Sequence, residues 1–393
     1  MSAKVLPLFL GIFLLLFGSP VDVCAAEKAN TTDKFVHPGL LHTRGSLDTM
    51  REQVTRGREP WKASFENFRK EAQASFDYRM RGPFEMVSRI PHVNNRQADA
   101  DFKAAYYNAI MWAITGDGRH AAKSREILNA YATGLRGYSK DDHDRQLTAS
   151  LGPFLLVNAA EIIRYTDAGW PDEDIARFET FLKSVVLPSI RDFATFANGN
   201  WDTGCVKTTL AIGVFCDDRE VFDRGIGYFR NGKGNGRLTY YIINEAGQCQ
   251  ESGRDQQHVQ LGLGHLAEAA EMAFHQGIDL YGESDNRLLR GFEYTARYNL
   301  GEEVPFQQHV DTTGKYKHKS ISEEGRGELR PIYEMVWNHY RHRKGIDAPY
   351  TGRAAAMLRP EGAMTKNADH PGYGTLFFTI PETRETRNVG RSK

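Results

Sequence analysis

An all-α fold built from antiparallel helical hairpins is what this sequence predicts, and three observations predict it. Apolar residues recur at i, i+3 and i+4 in one segment after another, short Gly, Pro and Asp clusters cut those segments into pairs, and alternating strand patterns are scarce. The first clear hairpin runs from Asp101 to Thr115, where Phe102, Ala105, Tyr106, Ala109, Ile110 and Ala113 share one helical face. It breaks at Gly116-Asp117-Gly118 and resumes from Arg119 to Thr133. Two helices joined by so short a break lie antiparallel. The arrangement recurs as Gln146 to Tyr165 with Asp172 to Phe196 across Gly169-Trp170-Pro171, and as Thr208 to Phe215 with Arg219 to Phe229. Gln257 to Gln276 pairs with Asn286 to Leu300, and Pro331 to Arg343 with Pro349 to Leu358. A period of about 50 residues without sequence identity indicates stacked hairpins rather than a short-unit solenoid. Closed into a ring such hairpins make an α/α toroid; wound as a superhelical bundle they would leave the same pattern. One strand signal stands out, Gly374 to Ile380 (GTLFFTI), so a small irregular or β segment is expected near the C-terminus.

The N-terminus carries Lys4, an apolar run from Val5 to Phe17, and small residues at Cys24, Ala25 and Ala26, which is the layout of a secretory leader. Residues 1–26 are therefore expected to be a signal peptide and residues 27–393 a single domain, periplasmic or secreted. The run is shorter than the roughly 20 apolar residues of a membrane-spanning helix, and no later stretch is expected to span one. With Lys+Arg 50 and Asp+Glu 50, no whole-molecule field is left to steer nucleic acid, so any anion must be bound locally. Cys205, Cys216 and Cys249 lack the C-x-x-C spacing of a zinc knuckle. One Cys205–Cys249 or Cys205–Cys216 bridge and three core thiols both fit.

Three loop-rich stretches, Ala197 to Lys207, Gly232 to His258 and Glu302 to Gly327, are the places to look for chemistry, since loops carry function. Asn198-Gly199-Asn200-Trp201-Asp202 breaks a helix with two amides beside an indole. The amides suit a sugar carboxylate and the indole a pyranose face, although the same residues also make a helix cap over a buried Trp. The run from Gly247 to His258 feeds into an apolar helix. Its Glu251, Arg254 and His258 are spaced by three and four, and share one face if that helix begins early. Such a face can hold a carboxylate-bound Arg and an imidazole oriented together at a cleft; the plainer alternative is a first turn with ordinary surface charges. Tyr316 lies on a polar, Lys-rich loop, whereas Tyr294 and Tyr298 lie on a helix. His309 and His318 match no common ligand spacing, and no metal is expected.

Taken together, Phe35-Val36-His37-Pro38-Gly39-Leu40-Leu41-His42-Thr43, the Asn-Gly-Asn-Trp motif, Glu251 to Gly264 (ESGRDQQHVQLGLG) and Gly277-Ile278-Asp279-Leu280-Tyr281 resemble the alginate lyase superfamily. Polysaccharide lyase families 38 and 5 look nearest, and the likeness runs from Phe35 to Tyr340. It implies an incomplete α/α toroid with a tunnel or cleft, an anionic polysaccharide partner, β-elimination of 1,4-linked mannuronate or glucuronate chains, and no required cofactor. In that chemistry the uronate carboxylate must be neutralised before its C5 proton can leave. A Tyr or His takes the proton and an acid protonates O4. In mannuronate and glucuronate the C5 hydrogen and O4 lie on the same side, so one residue can do both. Asn200 resembles the neutralising amide and Arg254 the helix arginine. Trp201 follows Asn200 where family 5 has a His, and Leu261 stands seven residues after Arg254 where it has the catalytic Tyr. His258 is therefore expected to take one role, and Tyr316 to supply the phenol. The expected catalytic set is His258, Tyr316, Arg254 and Asn200, with Asn198, Trp201, Glu251 and Gln257 contacting the sugar chain. Two other classes fit the residues: a glycoside hydrolase using Glu251 and Asp255 as its carboxylate pair, and a non-catalytic carbohydrate-binding protein.

Overall fold

Caps set the helix boundaries in the computed structural model, which describes residue 1, residues 34–364 and residues 368–381. The expected leader, with Cys24, lies outside the described residues. Helix α1 (Arg44–Thr55) opens on a reciprocal cap between Thr43 and Ser46, and α2 (Trp61–Phe68) follows. Helix α3 (Asn95–Thr115) stops where Gly116 turns left-handed at φ 70°, and Asp117 caps α4 (Gly118–Gly134) by accepting from Arg119 N–H. Next come α5 (Arg145–Arg164) and α6 (Asp172–Phe181), which runs through a π-turn at Leu182–Val186 into α7 (Leu187–Ile190). The helix expected to reach Phe196 stops short at Ile190, beyond which Phe193 takes a φ of 56°; Pro188, with no N–H for the ladder, lies in α7 just after the π-turn. Beyond it lie α8 (Gly199–Phe215), α9 (Arg219–Asn231), the short α10 (Leu238–Tyr241), α11 (Gln256–His275) and α12 (Glu283–Asn299). Helices α13 (Tyr333–Asn338) and α14 (Pro349–Leu358) complete the hairpin series.

Helices α3, α5, α8 and α11 pack side by side in that order, each accompanied by an antiparallel outer partner. The inner helices are buried on nearly every side, whereas outer α9 buries only Phe222, Gly225, Ile226 and Phe229. This is the α/α toroid. Because an outer helix returns the chain between successive inner ones, the inner helices run parallel and their N-termini gather at one end. At the opposite end, the stretch from Phe35 to Thr43 ties α5 to α11. Glu161 accepts from Gly39 N–H at 3.0 Å, while Gln276 Nε2 donates to the Gly39 carbonyl at 2.8 Å.

Two sequence expectations are corrected here, and one open alternative is decided. Gly374 to Ile380 is not a strand: α15 (Gly374–Phe377) is one helical turn. Glu361 accepts from Gly374 N–H at 2.6 Å, and Phe377 packs edge-on against Phe68, Tyr106 and His42, so the apolar run reflects burial on all sides rather than a pleat. Helix α5 is, by length and composition, apolar enough to cross a bilayer, contrary to the expectation that no later stretch would be. Yet 94% of that stretch is buried, and its apolarity is what an inner helix requires. Cys205, Cys216 and Cys249 are free and buried, so neither bridge forms. A two-stranded parallel pairing of β1 (Met86–Val87) with β2 (Gly137–Tyr138) was not signalled by the sequence.

Candidate active site

The three loop-rich stretches meet at the N-terminal end of the inner helices. Gly199 N–H donates to Gln250 Oε1 at 3.2 Å, Ser322 N–H to the Ser252 carbonyl at 2.9 Å, and Gln256 N–H to the Glu324 carbonyl at 2.8 Å. Asn235 Nδ2 bridges the Ala197 carbonyl (2.9 Å) and Asp311 Oδ2 (2.8 Å). Tyr241 forms the floor. Its hydroxyl donates to the Val259 carbonyl at 2.9 Å, and its ring lies so close to Gly199 and Gly262 that a Cβ on either would overlap it. That contact is the reason for glycine between Asn198 and Asn200.

On this floor a continuous hydrogen-bonded chain runs from α8 to α11. Asn200 donates twice to Glu251, from its backbone N–H to Oε2 (3.0 Å) and from Nδ2 to Oε1 (2.7 Å). Arg254 Nη1 lies 2.9 Å from Glu251 Oε1, and Arg254 Nη2 3.2 Å from His258 Nε2. The helix does not begin early enough to include Glu251. A turn closed by Arg254 N–H on the Glu251 carbonyl brings the three side chains together instead, and Asp255 caps α11 by accepting from His258 N–H.

Charge is graded along the chain. Glu251 is fully buried, and burial raises its carboxyl above the usual range against the pull of Arg254, His258 and Asn200. Arg254 and His258 keep 29% and 38% of their side-chain surface open, so these two face solvent. Asp144, at the start of α5, has its carboxyl raised by burial while Arg89 and Arg254 pull it back. Arg89 Nε lies 3.5 Å from Asp144 Oδ2. Sequence reasoning missed Arg89, Asp144 and Tyr241, none of which sits in a motif.

Of the expected residues, Asn200, Glu251, Arg254 and His258 come together, with two changes of part. Glu251 was expected to touch sugar, but its carboxylate is sealed beneath Arg254 and serves as that cation's counter-charge. Asn200 is equally buried: its Nδ2 is taken by Glu251, and its Oδ1 is buried without a partner, so it lies behind Glu251 rather than open to solvent. Asn198 starts α8, 6% exposed, and its Oδ1 is buried without a partner. Trp201 is half-buried, edge-on to the exposed Phe196 ring at 6.2 Å. Gln257 turns to the Glu328 carbonyl (2.7 Å), because the segment after Arg326 needs a donor there, and it is not part of the chain. Tyr316 is half-buried in a turn that Asp311 holds by its backbone, on the loop whose His318 packs against Gly253 beside Arg254. Tyr294 donates to the Pro305 carbonyl and Tyr298 carries Arg326 on its ring face. The carboxylate pair of a hydrolase is not free: Glu251 holds Arg254, and Asp255 Oδ2 lies 2.6 Å from His258 Nδ1.

Beneath the site, His265 Nδ1–H donates to the Asn200 carbonyl at 3.1 Å and leads into a buried cluster with Glu268, His370 and Lys207. Potential ligand atoms of His265, Glu268 and His370 lie within 4.8 Å of one another. Lys207 Nζ, 2.6 Å from Glu268 Oε2, already supplies the positive charge that the carboxylate needs. A metal ion would have to share that space with an ammonium group.

Comparison with known proteins places these observations. The family model described as alginate lyase matches residues 78–306, which spans the floor, the chain of hydrogen bonds and all four inner helices. Comparison with curated proteins gives no match. Among solved structures, an alginate lyase from Bacteroides ovatus is similar at a TM-score of 0.61 and 11% identity, covering 88% of this chain and 100% of that one. Alginate lyase A1-III from Sphingomonas species A1 is similar at 0.61 and 16% identity, covering 88% of this chain and 98% of that one. A single-residue variant of A1-III complexed with a tetrasaccharide superposes at 0.61 with 18% identity, again covering 88% and 98%. At these identities the structural likeness speaks for the fold.

Proposed function

This chain belongs to the alginate lyase family, and from that premise we propose that it cleaves a 1,4-linked uronic-acid polymer, mannuronate-rich alginate or glucuronan, with Arg254 and His258 as the groups that meet the sugar. It is a polysaccharide lyase, acting by β-elimination to leave a 4,5-unsaturated uronate end. The observation that carries the assignment to these residues is the unbroken chain Asn200–Glu251–Arg254–His258 at the N-termini of α8 and α11.

Physical chemistry supports it at each step. The first N–H groups of α8 and α11 are taken by Gln250, Glu251 and Asp255, so the positive charge this site opens to an anion is the guanidinium of Arg254. Arg254 is held rigid by a buried carboxylate, which spares it ordering entropy when it takes up the substrate carboxylate. Neutralising that carboxylate lets charge from C5 spread into it, and the neighbouring imidazole is within reach as a proton acceptor. Trp201 and Phe196 offer apolar faces for a pyranose ring beside the reacting sugar. An exported location, with residues 1–26 as leader and residues 27–393 as one catalytic domain, belongs to the same reading.

The test is a panel of polymannuronate, alginate, glucuronan and glycosaminoglycans, followed by ultraviolet absorbance of the unsaturated product and by product mass. A mannuronate or glucuronate polymer is expected to yield unsaturated oligosaccharides. New reducing ends without absorbance would instead indicate hydrolysis, and would overturn the reading.

A further inference from the structure

Resting on the lyase reading above, we infer that Asp255 is a positioning residue that fixes His258 as the base, its Nε2 bare of a proton and turned toward Arg254. Donor and acceptor identities set the tautomer. Asp255 Oδ2 lies 2.6 Å from His258 Nδ1, and a carboxylate only accepts, so Nδ1 carries the hydrogen. On the other side of the ring Arg254 Nη2 lies 3.2 Å from Nε2, and a guanidinium only donates, so Nε2 presents its lone pair. Asp255 is itself locked. Its Oδ1 accepts His258 N–H at 2.8 Å, and Arg254 Nε stands 3.6 Å from Oδ2. One carboxylate thus holds both the backbone and the ring of the same histidine. Burial would raise Asp255, but His258 and Arg254 hold it below the ordinary carboxylate range. The charged groups in contact with the imidazole are Asp255 and Arg254, with Glu251 on the far arm of Arg254, and the charge of Arg254 also acts on Asp144 at the N-cap of α5.

The step this arrangement performs is balanced without a co-reactant. When a uronate carboxylate arrives, Arg254 Nη2 turns from His258 to the anion and uncovers Nε2. The C5–H bond breaks as an Nε2–H bond forms, and the electron pair left on C5 spreads into the neutralised carboxylate. That pair then makes the C4=C5 double bond while the C4–O4 bond breaks. The departing O4 takes the proton back from Nε2, so His258 ends as it began. The C5 hydrogen and O4 of mannuronate and glucuronate lie on the same side, so no second acid is required.

Asp255→Asn in the full-length protein tests this. Asn keeps the Oδ1 cap of α11 but presents an NH2 to Nδ1, which forces the other tautomer and protonates Nε2. The readouts are kcat and KM on whichever polymer the wild type cleaves, the melting temperature, and imidazole nitrogen resonances in resting protein labelled with 15N-histidine. His258→Gln identifies the His258 signals. We expect kcat to fall about 10³-fold or more with KM within about threefold, as for a mispositioned catalytic imidazole, an unchanged melt, and Nε2 moving from bare to protonated. Asp255→Ser, which caps the helix but offers the ring no second oxygen, should lose less than Asp255→Asn. A kcat for Asp255→Asn within about threefold of wild type, well short of the loss a wrong tautomer brings, sinks the Asp255 role, as does a wild-type spectrum with Nε2 protonated at neutral pH. Silence of the wild type on every uronate polymer sinks the lyase reading and takes the base role with it. The nitrogen spectrum needs no substrate and tells the two failures apart.

Discussion

Glu251 and Arg254 form a pair whose anion is sealed and whose cation is open: the carboxylate is 0% exposed, while the guanidinium side chain keeps 29% of its surface. One arm of the fork is anchored to Glu251 and the other reaches His258, so the group must be planar and two-armed. Arg254→Lys keeps the charge but supplies one point of contact. It is expected to lower kcat/KM about 10²- to 10³-fold, the scale of removing one donor to a developing oxyanion, in a protein that melts as before. Full activity in this variant would mean the fork is not needed.

Trp201 stands one residue beyond the buried Asn200 and leans edge-on toward the exposed Phe196, 6.2 Å between ring centres. These rings offer apolar area rather than a proton or a charge, so their contribution is to binding. Trp201→Ala should raise KM about five- to tenfold and leave kcat within about twofold, in line with about 1 kcal/mol per aromatic contact. A loss confined to kcat would place the indole at the reacting sugar instead.

How far the sequence reached depended on whether a feature was local. Hairpins were legible because apolar spacing and the Gly116-Asp117 break act within a few residues, and Pro349–Leu358 came out with the expected bounds. Arg254 and His258 were legible because four residues separate them. Tyr241, Arg89 and Asp144 reach the site only through the ring of helices, and nothing near them in sequence marks them. Glu251 was misassigned for a related reason: its polar neighbours suggest a surface, but Asn200, 51 residues away, covers it. The GTLFFTI run misled because burial on every side and a pleated strand leave the same apolar letters.

Lys207 and Glu268 are both buried in the inner wall, Nζ 2.6 Å from Oε2, with the ammonium also over the Phe154 ring at 4.3 Å. Burial pushes Lys207 down, and Glu268 is held below the usual carboxylate range despite its burial, because Lys207 and His370 stand beside it. Lys207→Met leaves that carboxylate short of its cation and should cost about 3–5 kcal/mol in urea unfolding. Adding Glu268→Gln should restore part of it, because the uncompensated charge is then gone. If the double variant is less stable than the single one, the pair matters for its shape rather than its charge.

Glu361 is buried against the start of α15: its Oε1 accepts from Gly374 N–H, its Oε2 is buried without a partner, and burial together with nearby Glu334 raises its carboxyl to about 8. The folded protein therefore keeps a proton that the unfolded chain, at an ordinary value of 4.5, has released. Bound protons in the folded state make stability fall as pH rises, so this contribution is complete below the unfolded value and is lost on the way up to about pH 8. Asp99, raised to about 7 by burial and by Asp369, adds a slope of the same sign, so the wild-type decline alone does not isolate Glu361. The difference between wild type and Glu361→Gln does. Melting curves from about pH 5 to about pH 9 should separate in the variant's favour with rising pH, by up to about 1.4 kcal/mol per unit while Glu361 stays protonated only in the folded state. Parallel curves would show that Glu361 is ionised in the folded protein.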